Sequence, residues 1–293
     1  MVHYRRELLR LLPRVLRARD FHLYLEGGKR LTDLWRSGGK AVLGHKPPRV
    51  LGELKNAAER GLFTPLPHPM EKRFVKALAV FFPGRSFRLY ADESSLFQAL
   101  EAADFTGPIY DPAFPSLDSG AQLSEKCDIS FWRPFLDDDK KTPVLVPVLP
   151  WPLGPAVLVL EEGMVKTFPQ GNKSIGTEPQ PANSAAGYGE LISPVLLAPA
   201  ARALHDLAAE LKNHVPNRPR FLKIEKILKD SPWRRRGIYL TGEPDMNSEK
   251  YEALFRRFLE GGFLIPPSPL EPLILPFSMS SGEESKLAEL LKS

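Results

Sequence analysis

The sequence contains a single cysteine, Cys127, in 293 residues. One thiol cannot close an internal disulfide, so a reducing, cytoplasmic setting is expected. No uninterrupted apolar run reaches about 18 residues, the length a membrane-spanning helix needs. The arginine-rich start is not followed by an apolar segment long enough for a secretion signal. The reading is therefore a soluble cytoplasmic protein with no membrane partner. The histidines, His3, His22, His45, His68, His205 and His214, are scattered, and no pair has metal-ligand spacing, so no metal site is expected. There is no Walker loop and no GxGxxG dinucleotide turn. Cys127 has no base beside it in sequence, which argues against a thiol nucleophile.

What is present suits a globular α/β protein. Hydrophobic residues make up 43% and charged residues 26%, enough for one large domain or two modest ones. Proline is the outlier, with 30 residues, about twice the usual share, and implies stiff connections between short elements. The net charge is +5 and the pI is near 9.2, without one long basic block. Arginines gather at Arg5, Arg6, Arg10, Arg14, Arg17 and Arg19, and again at Arg234, Arg235 and Arg236. The first group reads as an amphipathic helix over 5–19, with Leu8, Leu12, Val15 and Leu16 in one stripe and Pro13 bending or splitting it. The second group, after Trp233, reads as a charged loop entering a strand rather than a nucleic-acid patch.

Along the chain, two extended runs flank Gly27-Gly28 over 23–34 and read as a hairpin. A helix starts at Pro48 and closes at Gly61, with Val50, Leu51, Leu54 and Ala58 on its apolar face. A second runs over 69–82, with Met70, Phe74, Leu78 and Phe81 on one side, and Pro83-Gly84 stops it. Then come a strand over 87–90, a helix over 94–103 and a short strand over 108–110. Residues 111–142 read as a loop with a charged run at 137–141. Strands are expected over 144–149 and 156–160, a long loop over 169–187 and a long helix within 191–214. Further helices are expected over 221–229 and 248–259, with extended segments over 237–241, 263–265 and 273–275. Ser281-Gly282-Glu283-Glu284 has the form of a capping box for a last helix.

Several segments, in order, carry a resemblance. They are Glu26-Gly27-Gly28-Lys29-Arg30-Leu31-Thr32-Asp33, then Leu43-Gly44-His45, then Pro69-Met70-Glu71, then Phe81-Phe82-Pro83-Gly84. Near the other end stand Arg236-Gly237-Ile238-Tyr239-Leu240, Glu260-Gly261-Gly262-Phe263-Leu264-Ile265-Pro266, and the stretch from Pro276 to Leu291. Their order and spacing resemble those of class III aminotransferases, which use pyridoxal phosphate on fold type I. The resemblance implies a shortened transferase-like α/β fold with a reduced sheet in its large domain. It implies an α+β small domain built from both chain ends, with 1–84 and 196–293 forming it and 85–195 the large domain. It also implies a homodimer.

The family's chemistry needs a lysine to form the Schiff base, a carboxylate at the pyridinium nitrogen and helix-start amides for the phosphate. The lysine is carried a fixed distance before a step matched by Pro152-Leu153-Gly154, and that places it at Leu145. No lysine occurs anywhere over 142–160. Lys140 and Lys141 lie nearby, in an acidic turn. The phosphate turn is matched by Ala91-Asp92-Glu93-Ser94, where Asp92 and Glu93 would cap the helix and repel a phosphate. Asp111 is the match for the ring-nitrogen carboxylate and the candidate cofactor residue, though it could equally open a turn before Pro112. The substrate-carboxylate arginine is matched near Leu273. The expectation is thus an aminotransferase-like protein without catalysis and without a cofactor, its small-molecule ligand unknown. The alternatives are an active enzyme that holds pyridoxal phosphate on a displaced lysine, and a weak binder of nucleic acid or anionic surfaces.

Overall fold

The computed structural model describes residues 6–114, 127–136, 142–168, 189–214, 221–243 and 246–292. The charged run at 137–141, with Lys140 and Lys141, and the loop expected at 169–187 lie outside the described residues. Three sheets and their covering helices build a mixed α/β fold.

The first sheet has the order β1 (Val15–Arg19), β2 (His22–Leu25), β3 (Arg30–Asp33) and β10 (Phe263–Leu264). Its first three strands are antiparallel neighbours, and β10 joins β3 in parallel. Both chain ends thus meet in one sheet. The helix expected over 5–19 is corrected here. Only α1 (Arg6–Leu9) is helical, and β1 follows as an edge strand. Pro13 has no amide hydrogen to donate and cannot carry the helix on. The chain beyond it gains more from pairing with β2, which leaves Leu16 70% exposed rather than on a buried stripe.

The second sheet, also four-stranded and called the large sheet for its longer strands, has the order β4 (Ser86–Tyr90), β7 (Ala156–Leu160), β6 (Val144–Pro147) and β5 (Ile129–Trp132). The β4–β7 and β7–β6 pairs are antiparallel and β6–β5 is parallel. Single bridges extend it at both edges, from Leu89 to Gly189 and from Ser130 to Tyr110. The strand expected over 108–110 is that one bridge. β5 lies within the stretch expected to be a loop, which is therefore corrected for 129–132. The Ser-Phe-Trp run is short, and its partner β6 supplies the order.

Helices α2 (Pro48–Glu59), α3 (Pro69–Ala79) and α5 (Pro194–His214) share one core with this sheet. Val50, Phe74, Leu78, Leu89, Val159 and Leu204 meet there. α2 and α3 thus pack with the large sheet although they precede residue 84. Helix α4 (Glu93–Ala102) covers the other face, through Leu96 and Leu100 against Leu158 and Leu160.

The third sheet, β8 (Arg234–Arg236), β9 (Tyr239–Thr241) and β11 (Leu273–Ile274), is antiparallel throughout. The three arginines therefore form a strand rather than a loop, another correction. Arg234 donates to the carbonyls of Ser231 and Trp233, Arg235 pairs with Glu225 and Arg236 donates to the carbonyl of Pro112, so all three guanidiniums bond within the molecule. Helices α6 (Leu222–Leu228), α7 (Ser248–Glu260) and α8 (Ser281–Leu291) close the last core with Phe255, Phe258 and Leu287.

The capping box of α8 sits one residue earlier than expected, on Ser280 and Glu283. Glu283 also accepts from Thr32 at 3.1 Å and contacts His22 at 2.9 Å, which ties the C-terminal helix to the first sheet. Burial alone would raise the Glu283 carboxyl, but bonds from His22, Ser280 and Thr32 outweigh it and hold it at about 2. In the unfolded chain it returns to its ordinary 4.5. A depressed native value stabilises fully above pH 4.5 and is lost as pH falls towards 2. Acid titration of stability should therefore lose on the order of 2 kcal/mol more in the parent than in Glu283→Gln across that window. Chemical denaturation at pH 5 and pH 3 checks this.

Candidate functional site

The C-terminal end of the large sheet is where β4, β5 and β6 stop and the chain turns. At the end of β4, Asp92 takes extended backbone (φ −153°) and its carboxylate accepts from the Ser95 amide at 2.8 Å. The neighbouring Ala91 amide donates to Oε2 of Glu190 at 2.8 Å. Glu93, in the first turn of α4, pairs with Lys40 at 2.8 Å. An anion-binding helix start works by offering free amides and a positive dipole end. Here Asp92 holds the Ser95 amide of the first turn, Glu190 holds the Ala91 amide just before the cap, and three carboxylates crowd the spot.

Glu190 reaches Ala91 because the chain passes very close to β4 at Gly189. Its φ is +115°, and a Cβ there would lie 2.5 Å from the carbonyl oxygen of Leu89. Only glycine tolerates both the conformation and the approach.

At the other edge, Asp111 follows the bridge from Tyr110 to Ser130. Its Oδ1 accepts from Nε of Arg133 at 2.7 Å and from the Ala113 amide at 3.0 Å, and its Oδ2 accepts from Nη2 of Arg133 at 2.5 Å. The contact is a two-pronged guanidinium–carboxylate fork, the strongest form of such a pair. Both side chains are largely buried, at 6% and 13% exposure. Burial pulls the Arg133 guanidinium down, but the charge and hydrogen bonds of Asp111 more than offset it, so it sits above its ordinary value. Asp111 therefore both opens a turn and neutralises Arg133.

The N-terminal segment leans over the same edge. Arg36 is fully buried in left-handed backbone (φ 50°), with its guanidinium 4.2 Å from the Phe21 ring centre. Burial brings it down to about 10, against the raising influence of Asp33 and Tyr239. Beyond it, Gly39 (φ +102°) fits where a Cβ would lie 3.2 Å from Val148 and 3.3 Å from Ile274. Asp33 accepts from the Arg36 amide at 2.9 Å and meets His45 at 2.7 Å. Tyr239 donates to the Pro134 carbonyl at 2.8 Å, and its phenol is pushed up chiefly by burial.

Leu145 stands on β6 between Ser130 of β5 and Val159 of β7. It is half-buried and lines a cavity of about 250 Å³, whose walls also include Phe81, Phe82, Trp132 and Arg133. Among the described residues no lysine lines it. Leu273 lies buried in β11.

Position 145 carries a hydrocarbon, the Ala91 and Ser95 amides are held by carboxylates of the chain itself, and Asp111 is bound to a guanidinium. Among the described residues no cluster of His, Cys, Asp and Glu could hold a metal, and no helix is long and apolar enough to cross a membrane.

Arg133, Glu190 and Lys40 were not singled out from the sequence. Arg133 and Glu190 meet their partners across 22 and 99 residues, and no local pattern marks such pairs.

No family model matches the chain. An uncharacterized protein of Treponema pallidum (strain Nichols) is 30% identical over 301 residues, covering 94% of this chain and 93% of that protein. An uncharacterized protein of Borreliella burgdorferi is 37% identical over 71 residues, covering 24% of this chain and 26% of that one. Among solved structures, an ornithine aminotransferase from Plasmodium yoelii superposes with a TM-score of 0.64 at 12% identity, covering 95% of this chain and 92% of that one. A glutamate-1-semialdehyde aminomutase from Pseudomonas aeruginosa PAO1 gives 0.63 at 14%, covering 95% and 86%. At such identities the likeness shows the fold: this chain has the α/β fold of the class III aminotransferases.

Proposed function

The chain belongs to the family of the uncharacterized Treponema pallidum protein, and from that premise we propose that it is an aminotransferase-fold protein that performs no transamination and acts by binding. The observation that carries this reading is the helix start after β4. Asp92 and Glu190 occupy the Ser95 and Ala91 amides at 2.8 Å each. A phosphate dianion would have to displace both carboxylates and would still face Glu93. Two like charges about 4 Å apart at a protein surface cost on the order of 4 kcal/mol, and the dianion would meet more than one.

The lysine position supports the same reading from an independent direction. Leu145 has no amine, and an imine requires one. Asp111 supports it too, since a carboxylate already forked to Arg133 has little capacity left for a protonated ring nitrogen.

The rival reading is an active enzyme with a displaced lysine. Lys40 is the cation that favours it, since its ammonium pairs with Glu93 at the first turn of α4. Titrating the purified protein with pyridoxal phosphate separates the two. We expect no protein-dependent imine absorbance band and no conversion of the cofactor to its amine form when glutamate or ornithine is added. A saturable band that an amino donor bleaches would establish the rival.

A further inference from the structure

The binding reading leaves the ligand unnamed, and the cavity beside Leu145 narrows it. The cavity is a recess partly open to solvent, of about 250 Å³, with room for a single aromatic ring. One wall is aromatic. Trp132 meets Phe81 and Phe82 edge-on, at centroid distances of 5.5 and 5.1 Å, and Leu145 lies on the same side of the sheet as Trp132. A fourth flat ring extends such a cluster favourably, because edge-to-face contacts add to area burial.

The charges around the cavity cancel. Arg85 pairs with Glu161 at 3.0 Å and also donates to the carbonyls of Thr142 and Pro143. Arg133 is forked to Asp111. Among the described lining residues both guanidiniums are thus paired with carboxylates, so a neutral ligand is favoured.

Among the described lining residues Ser130 offers a further polar group. The buried Ser130 hydroxyl lies 2.6 Å from that of Thr142. Thr142 also reaches the Val144 carbonyl at 3.2 Å. Either hydroxyl can donate in the shared bond, and in both cases the Ser130 oxygen keeps a lone pair free. Ser130 lines the cavity, and a buried acceptor rewards a donor.

We propose that this cavity binds a small, uncharged aromatic molecule that presents one O–H or N–H donor to Ser130, phenol being the simplest example. The inference rests on the binding reading and names the ligand class for the same site.

The test uses the full-length protein with phenol and its near-isostere toluene, titrated by ligand-observed NMR. Ser130→Ala should weaken phenol binding about fivefold, the worth of one such hydrogen bond, and leave toluene binding unchanged within about twofold. Leu145→Phe, which fills the space, should abolish both. In the unsubstituted protein, phenol should give intermolecular NOEs to the Trp132 ring and the Leu145 methyls, a result that does not depend on any variant folding. Absent NOEs, equal losses for phenol and toluene in Ser130→Ala, or phenol binding that survives in Leu145→Phe would each overturn the proposal. A parallel titration with pyridoxal phosphate keeps the two ideas separable. An imine band alongside normal phenol binding removes only the non-catalytic reading, and failed phenol binding without an imine band removes only this one.

Discussion

Arg133→Met is expected to destabilise the fold by about 3–5 kcal/mol, the usual result of leaving one partner of a buried ion pair uncompensated. The side chains of Arg133 and Asp111 are both nearly sealed from water. Removing the cation strands the carboxylate at the sheet edge with the Ala113 amide as its remaining hydrogen-bond donor among those described for it. Asp111→Leu should do comparable harm by stranding the guanidinium. The double variant, Arg133→Met with Asp111→Leu, should regain most of the loss, because two apolar groups cost less to bury than one naked charge. Urea denaturation of the three proteins at neutral pH measures the cycle. A single-variant loss below about 1 kcal/mol, the range of exposed pairs, would show that the fork is not the fixture described. The prediction also bears on function. If Asp111 were held ready for a cofactor, its neutralisation would be mild for the fold and severe for binding.

Gly189→Ala should cost about 3 kcal/mol or more. Backbone held at φ +115° strains a residue with a side chain by about 1–3 kcal/mol. The new methyl would also sit 2.5 Å from the Leu89 carbonyl oxygen and 2.9 Å from its amide nitrogen. The bridge to β4 must then open, and with it go the bond from the Glu190 amide to Leu89 at 2.9 Å and the hold of Glu190 on Ala91. Glu190→Gln provides the contrast. It keeps an oxygen for the Ala91 amide and removes the charge, so thermal unfolding should shift little. If Gly189→Ala melts like the parent, the close passage that delivers Glu190 to the cradle is wrong.

Much of the architecture is legible in the sequence alone. The Gly27-Gly28 hairpin, the Pro48 and Pro69 helix starts and the paired apolar runs that became β6 and β7 are local signals, and local physics decides them. The N-terminal arm deceived because Leu8, Leu12 and Val15 fit a helical stripe, while β2 offered edge pairing that a periodicity count does not register. β5 was hidden because four residues between loops carry little pattern until β6 lies beside them. At the site, the self-capping Asp92 was legible, since it is a statement about one turn. The Arg133 fork and the Glu190 carboxylate were not. Both depend on which distant segments the sheet brings together, and an arginine in a Trp-Arg-Pro run or a glutamate after a glycine announces nothing alone.

The most direct measurement is borohydride reduction of the protein mixed with pyridoxal phosphate, followed by peptide mapping. A filled cradle and a hydrocarbon at position 145 predict only scattered, substoichiometric labelling of exposed lysines, at the level seen in a control lacking the fold. One stoichiometric adduct on a single lysine, Lys40 foremost, abolished when the protein is unfolded beforehand, would contradict it.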